Sequence, residues 1–387
     1  MERRHFIRLV GGGIVAAAGG TLTGCSRAYP PEAVAAWNGP GAEADPRRWI
    51  LGYAILAPHS HNLQSWQADL RVPGEITLSC DPTRLLPETD PFSRQIMMSH
   101  GTFIELLGIA ARERGLRAEI ELFPEGEYGP RAIDARPVAR VRLVPDPGVV
   151  RDPLFAQILA RHTNREAYDL QRPVPAAAWQ AMAAAVGPAA GLHFGQIDAG
   201  AAQAIARHRA VAAEAWRIEL VTPRTMLESY KVLRVGADEI ARHRDGLSLM
   251  DPMVVAMTRL GLFDRSKAPA PDDFAVTSQV EEFNAKLATT PAFLWLVSDG
   301  NDRRTQVAAG RAYARVQLAA TAHGVAMQPL QQALQEYPEQ AGPYAAIREL
   351  VGAPEPSRTV QMWARVGYAP PVQPAPRRGV DAIVVAR

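Results

Sequence analysis

The sequence predicts an α+β chain built from two like halves, and three observations carry that prediction. Gly101 opens the stretch G-T-F-I-E-L-L-G-I-A-A-R-E-R-G-L, and Gly310 opens G-R-A-Y-A-R-V-Q-L-A-A-T-A-H-G-V, with alanine pairs and a closing Gly at the same offsets. Each stretch follows a strand-like run and an acidic turn: Ile76 to Cys80 then Asp81, and Phe293 to Ser298 then Asp299. Arg94 and Arg303 each stand seven residues ahead of their glycine. A chain of 387 residues, 47% hydrophobic and 21% charged, is also long enough to bury two cores. Duplication of one α+β unit, fused head to tail, accounts for the repeat better than two helices that happen to be alike.

Residues 1–24 read as a twin-arginine export signal. Arg3 and Arg4 precede sixteen uncharged, mostly small residues, Leu9 to Gly24. The end, Leu22-Thr23-Gly24-Cys25, has the pattern of bacterial lipoprotein processing, which leaves Cys25 as an acylated N-terminus. The expected location is the periplasmic side, membrane-anchored through Cys25; cleavage elsewhere and an uncleaved anchor stay open as alternatives. Gly11-Gly12-Gly13 follows no strand and is not a dinucleotide loop. Removing the signal takes away three Arg and one Glu, which leaves 39 basic against 39 acidic residues. Without a basic block, nucleic acid is not expected as a partner. Two cysteines, Cys25 and Cys80, build neither a disulfide scaffold nor a Cys-rich zinc site. Twin-arginine export carries folded proteins, so the signal favours a cofactor acquired before crossing.

After a linker at 25–44, the first half is expected at 45–147. Its strands are Gln67 to Val72, Ile76 to Cys80, Ala118 to Phe123 and Val138 to Val144, around a helix from Pro91 to Arg114. Pro145-Asp146-Pro147-Gly148 is turn chemistry and marks the boundary. The second half, 148–387, has helices over Ala201 to Leu220, Met226 to His243, Asp251 to Leu260 and Phe274 to Leu287. A lid-like insertion is expected at about 222–275. Strands return at Phe293 to Ser298, Val360 to Gly367 and Val380 to Ala386. Trp216 and Tyr230 read as core aromatics.

Three segments carry candidate chemistry. Ala57 to Trp66 (A-P-H-S-H-N-L-Q-S-W) packs Ser60, Asn62 and Gln64 beside His59 and His61, a set suited to a heterocycle or polyol read by hydrogen bonds. Arg161-His162-Thr163-Asn164-Arg165 and Pro376-Arg377-Arg378 supply four guanidinium groups and a hydroxyl. These suit a phosphate dianion, because Arg is always charged and offers planar forked donors. The two histidines lack a third ligand at fixed spacing, so no metal is expected.

These residues resemble the nitroreductase superfamily. Ala57 to Trp66 is similar to its A-P-S-x-H-N-T-Q-P-W segment, with His59 and Ser65 as departures. R-H-T-N-R resembles its arginine-rich phosphate-binding opening, and P-R-R resembles its C-terminal basic pair. With the twin-arginine signal and two fused halves, the combination resembles the Acg-type FMN-binding branch. The resemblance implies a nitroreductase-like fold, mixed sheets flanked by helices, with the halves acting as an intramolecular pseudo-dimer and FMN between them. Ser60, Asn62 and Gln64 would come from the first half, and Arg161, Thr163, Arg165, Arg377 and Arg378 from the second. In Pro329-Leu330-Gln331-Gln332 the family's Glu-Gly is replaced, so Leu330 and Gln331 carry over as a location only, with no catalytic residue assigned. Asp45-Pro46-Arg47-Arg48 and Val186 to Gly191 do not complete a second site, which implies one FMN per chain.

The implied function is an exported FMN-dependent oxidoreductase with an unassigned electron donor and acceptor, since NAD(P)H is cytoplasmic. An FMN-binding or sequestering protein without turnover, and a cytoplasmic NAD(P)H-dependent nitroreductase, remain as alternatives. For the first of these, a lid closed over the flavin would be the signature, and Met250 to Met257 lies in the insertion that could form it.

Overall fold

The computed structural model describes residues 28–187 and 191–385, so the expected signal, Cys25, Pro188 to Ala190 and Ala386 lie outside the described residues. Helix α1 (Pro31–Val34) lies within the expected linker. Helix α2 (Pro46–Ala54) starts where the Asp45 carboxylate accepts from the Arg47 N–H, with Pro46 in the first turn. Then follow β1 (Trp66–Asp69), β2 (Glu75–Cys80), the long helix α3 (Arg94–Glu113), β3 (Leu116–Leu122) and β4 (Ala139–Pro145). The strands form an antiparallel sheet ordered β1-β2-β4-β3. Ile76, Leu78 and Cys80 point inward from β2 and alternate with half-buried neighbours, as in a sheet with one open face.

The second half begins with α4 (Ala176–Ala185), β5 (Leu192–Ile197) and α5 (Ala202–Val221). The insertion comprises α6 (Pro223–Lys231), β6 (Leu233–Val235), α7 (Gly236–His243), β7 (Leu247–Leu249) and α8 (Pro252–Arg259). Then come α9 (Phe274–Ala288), β8 (Ala292–Asp299), α10 (Arg303–Ala322), β9 (Ala326–Pro329), α11 (Ala341–Leu350) and β10 (Arg358–Gly367). The second sheet, β5-β8-β10-β9, is also antiparallel. Helices cover both of its faces. Leu294, Leu296 and Val366 share a core with Met182 of α4 and Val316 of α10, while Phe293, Val297 and Trp363 pack with Ala212 of α5 and Ile347 of α11.

The two repeated helices meet at the repeated glycines. A Cβ on Gly101 would lie 2.1 Å from the Val307 carbonyl oxygen, and one on Gly310 would lie 1.9 Å from that of Met98, so α3 and α10 touch backbone to backbone. The repeated arginines brace this crossing. Buried Arg94 donates to the Leu334 carbonyl and to Val360 O at 3.0 Å; buried Arg303 donates to Phe92 O at 2.8 Å and Gly129 O at 3.0 Å. Each arginine therefore ties its helix to segments outside it.

Both chain ends cross between halves. Arg377 N–H donates to Ala33 O at 2.8 Å, and Trp37 Nε1–H donates to Ala375 O, also at 2.8 Å. Further on, Val384 forms a parallel bridge with Ala68 of β1, which makes the first sheet mixed at that edge. The strand expected at Val380 to Ala386 is instead a 3-10 turn, Val380–Ala382, followed by this single bridge. The helix expected over Met226 to His243 is interrupted by β6, and Gly236 at φ +78 begins the next helix.

Candidate functional site

The loop after α2 is held in an uncommon backbone shape. His61, Asn62 and Gln64 all have positive φ (48°, 53° and 53°), a region that non-glycine residues rarely occupy and that persists only where surrounding contacts enforce it. His59 is one enforcer. Its Nε2 lies 3.2 Å from the Ser65 N–H, which it accepts, and its Nδ1 lies 2.8 Å from Ser60 O, to which it donates in that tautomer. Burial holds the His59 pKa well below the ordinary value, so the ring is neutral and fixes both ends of the loop.

Two guanidinium groups converge beneath this loop. Arg161 is 2% exposed and Arg377 is 4% exposed. Arg161 donates to Leu56 O at 2.8 Å and to Gln317 Oε1 at 3.0 Å. Arg377 donates to the Asn62 Oδ1 and to Ala57 O at 3.2 Å. No carboxylate pairs with either among the described residues. Burial lowers the Arg161 pKa to about 10, and burial with repulsion from Arg161 lowers that of Arg377 to about 9. The Nε of both, the Tyr313 hydroxyl and the Gln317 Nε2 are buried without a partner among the described residues. Such a set leaves donors and positive charge unsatisfied, which is what an anion would complete.

Arg165 is exposed along one flank; desolvation of the rest lowers its pKa, and Tyr29, Tyr313 and Tyr168 nearby partly offset that shift. It makes no hydrogen bond or ion pair with the described residues. Its charge also acts on His61, whose pKa falls to about 4, first through desolvation and then through Arg165. Thr163 lies between the two arginines, in a segment pinned to β9 by Asn164 N–H donating to Met327 O at 3.0 Å.

The insertion clasps the loop from the other side. Gly246 N–H donates to Asn62 O at 3.1 Å, and Gln64 Nε2 donates to Arg244 O at 2.9 Å. Asp245, buried, pairs with Arg84, which itself donates to Leu63 O at 3.1 Å. Arg378 completes this wall: its N–H donates to Gln64 Oε1 at 2.9 Å and its guanidinium to the Gln64 carbonyl. Thus Gln64 spends its amide on the clasp, and Arg378 holds the loop rather than standing free.

The structure thus brings together Asn62, Gln64, Arg161, Arg377 and Arg378, with Arg165 close enough to act on His61 and Thr163 lying between Arg161 and Arg165 in the chain. Ser60 faces α3, its N–H donating to Ser99 Oγ at 3.2 Å. Leu330 is buried in the second core, and Gln331 donates to Gln361 O at 3.1 Å and accepts from Trp363 N–H at 3.2 Å. These two therefore brace β10 and make no bond to the arginines. Sequence reasoning missed Trp37, whose ring lies 5.6 Å from Arg161 and 5.3 Å from Arg377, together with Tyr29, Tyr313 and Gln317. Tyr313 and Gln317 are signalled by their place in the repeat, at three and seven residues after Gly310, but an amphipathic helix offers no cue to which polar residues face inward to a ligand. The surface recess lined by Tyr344, Arg348 and Glu355 shares no residue with this cluster.

The fold and the site define an α+β protein of two sheet-bearing halves with a buried cationic centre at their junction. No family model matches the sequence. Two Mycobacterium tuberculosis proteins, each provisionally named an NAD(P)H nitroreductase, are 30% identical over 365 residues, spanning 90% of this chain and 94% of theirs. The chain belongs to the nitroreductase family. Among solved structures it is similar to the FMN-dependent nitroreductase NfnB of Mycobacterium smegmatis in complex with NADPH (19% identity, 60% of this chain and 96% of that one, TM-score 0.36). It is also similar to a nitroreductase with bound FMN from Bacteroides fragilis (15% identity, 57% and 89%, TM-score 0.32).

Proposed function

We propose that this chain is an exported FMN-dependent oxidoreductase of the Acg-type branch, its halves forming an intramolecular pseudo-dimer. The observation that carries the reading is the carboxylate-free pair Arg161 and Arg377 with its orphaned donors. These residues fit the phosphate of FMN, which carries between one and two negative charges near neutral pH. Arg161, Arg165 and Arg377 hold that phosphate, with Tyr313, Gln317 and Thr163 at its edge. Asn62 and the Ser60 to Gln64 loop serve the ribityl chain and ring. Leu330 and Gln331 mark the family's location for the reactive edge. FMN supplies the redox chemistry; the protein binds, orients and excludes water from it. Neutral His61 adds no charge to the loop at physiological pH.

Export by the twin-arginine route, acylation at Cys25 and a periplasmic location belong to the same proposal and rest on residues 1–25 alone. A second reading, FMN binding without turnover, is favoured by the closed surroundings of the cluster: Trp37 stacks on it, and the Arg244-Asp245-Gly246 turn clasps the loop.

The deciding experiment is an absorption spectrum of the purified mature protein, followed by stopped-flow mixing with NADPH and with a quinol analogue. A flavin band bleached by either donor supports the oxidoreductase, and the identity of that donor assigns it. A flavin that stays oxidised with both supports the binding role, and no flavin after reconstitution overturns both readings.

A further inference from the structure

Helix α8 has the sequence P-M-V-V-A-M-T-R, six of its eight residues being Pro, Met, Val or Ala among apolar types before Thr258 and Arg259 close it, yet none of its residues is buried. The segment around it repeats the anomaly. Met253 is 40% exposed, Leu260 72%, Leu262 56% and Phe274 65%. Exposed apolar side chains gathered on one short helix and the turn that follows it, Met253, Leu260 and Leu262, mark a surface that something covers.

The chain's own N-terminus indicates what covers it. The first described residues lie on the insertion: α1 packs against α7, and the Tyr29 phenol faces Ser248 of β7, three residues before the start of the α8 cap at Asp251. In turn α8 packs back on the start of α7, where Val255 lies beside Gly236. Cys25 stands three residues before Ala28, a span of at most about 11 Å when fully extended. An acyl chain on Cys25 would therefore enter its bilayer close to the exposed apolar segment of the insertion.

We propose that α8 and the following loop, through Met253, Leu260 and Leu262, insert into the interfacial layer of the lipid bilayer that holds the acyl anchor. The anchor and the insertion then form a two-point attachment, which holds this face of the insertion against the bilayer. Charge does not carry the contact. Exposed Arg259 and Lys267 are offset by exposed Asp264, Asp272 and Asp273, and Lys267 pairs with Asp264. Binding is accordingly apolar and indifferent to salt. The inference rests on the reading of Cys25 as an acylated residue, and its test is made without the acyl group so that the two fail separately.

The test is flotation of the unacylated chain from Ser26 to Arg387 with two kinds of vesicle: phosphatidylcholine alone, and a phosphatidylethanolamine–phosphatidylglycerol mixture. Wild-type protein is expected to float with both, in low salt and in 0.5 M salt, on the order of tenfold more than the Leu260→Glu/Leu262→Glu variant. Circular dichroism and bound-flavin content of that variant should match wild type, which separates lost binding from lost folding and from failure of the flavin reading. Wild type remaining at the bottom of the gradient overturns the proposal. So does a wild-type dimer in sedimentation velocity that these substitutions dissociate, because a second copy would then be the covering surface.

Discussion

Arg161 and Arg377 pit burial against charge more severely than any other residues of the cluster. Each guanidinium loses its hydration and gains only neutral acceptors, and Arg377 is further opposed by the charge of Arg161. Arg165 is the cleaner probe, because its removal breaks no hydrogen bond or ion pair among the described residues. Arg165→Ala should weaken FMN by roughly ten- to a hundredfold, the cost of one charge-assisted contact of about 1.5–3 kcal/mol. Riboflavin affinity should hardly change, since it lacks the phosphate. Asn62→Ala should weaken riboflavin as well as FMN, with the larger loss for FMN because the Asn62 Oδ1 also holds the Arg377 guanidinium. Isothermal titration of the apo variants checks this, and an unchanged FMN-to-riboflavin ratio in Arg165→Ala would sink the phosphate assignment. A second residue reports on pH. Burial raises the Glu219 pKa to about 7, and the Gln335 amide only partly offsets that shift. A carboxyl whose folded pKa is raised binds its proton more tightly when folded. Stability from this residue is therefore full below the unfolded value of 4.5 and falls as pH rises through about 7. Glu219→Gln should be near neutral at pH 4.5 and stabilising at pH 8 by up to about 3 kcal/mol. Urea unfolding at the two pH values measures it, and equal effects at both would contradict the buried-carboxyl account.

At the scale of elements, the crossing of α3 and α10 depends on two glycines that the repeat had already singled out. Gly310→Ala drives a methyl into the Met98 carbonyl, and both partners are backbone, so the helices must part. The expected cost is about 3 kcal/mol or more. Gly108→Ala, on the same face count of α3 but with open space around it, should instead stabilise by about 0.5–1 kcal/mol through helix propensity. Thermal melts that rank the two variants the other way would remove the crossing from its central place. Legibility in the sequence follows the same physics. The crossing was readable because close backbone approach demands Gly, and β8 and β10 were readable because both faces are buried and their runs are apolar. By contrast β5, with His193 and Gly195 inside it, carries no strand pattern; it pairs because Trp295 of β8 covers the gap that Gly195 leaves. The Met226 to His243 helix failed because helical spacing does not register a three-residue strand. The Val380 to Ala386 strand failed because only Val384 finds a partner at the edge of the four-residue β1. In the site, the arginine and amide segments were legible as polar clusters. Trp37 and Tyr29 were not, because their role arises from a 338-residue contact that folds the start of the chain onto its end.

For the molecule as a whole, the two halves share a crossing but not a charge pattern, and the proposed FMN count of one per chain follows from that difference. The arginines that the sequence of the first half offers as counterparts of Arg161 and Arg165 are Arg47 and Arg48. Arg47 is paired with Asp45, and it donates to Leu70 O at 2.7 Å and Val72 O at 3.0 Å. Arg48 is paired with Glu43 and Asp381. Both guanidiniums are thus neutralised by carboxylates of the chain itself, and an incoming phosphate would meet those same negative charges. Arg161 and Arg377 have no such partners among the described residues. Reconstituted protein should therefore carry one FMN per chain, and acid release with quantitation against protein concentration gives the count. Removing Asp45 and Glu43 together, as Asp45→Asn/Glu43→Gln, should not create a second site, because Val186 to Gly191 does not carry the residue pattern of Ser60, Asn62 and Gln64. Two flavins per wild-type chain would mean that ion pairing in the first half does not exclude the phosphate. In that case the asymmetry between Arg47 and Arg161 would no longer explain how many cofactors the fused halves hold.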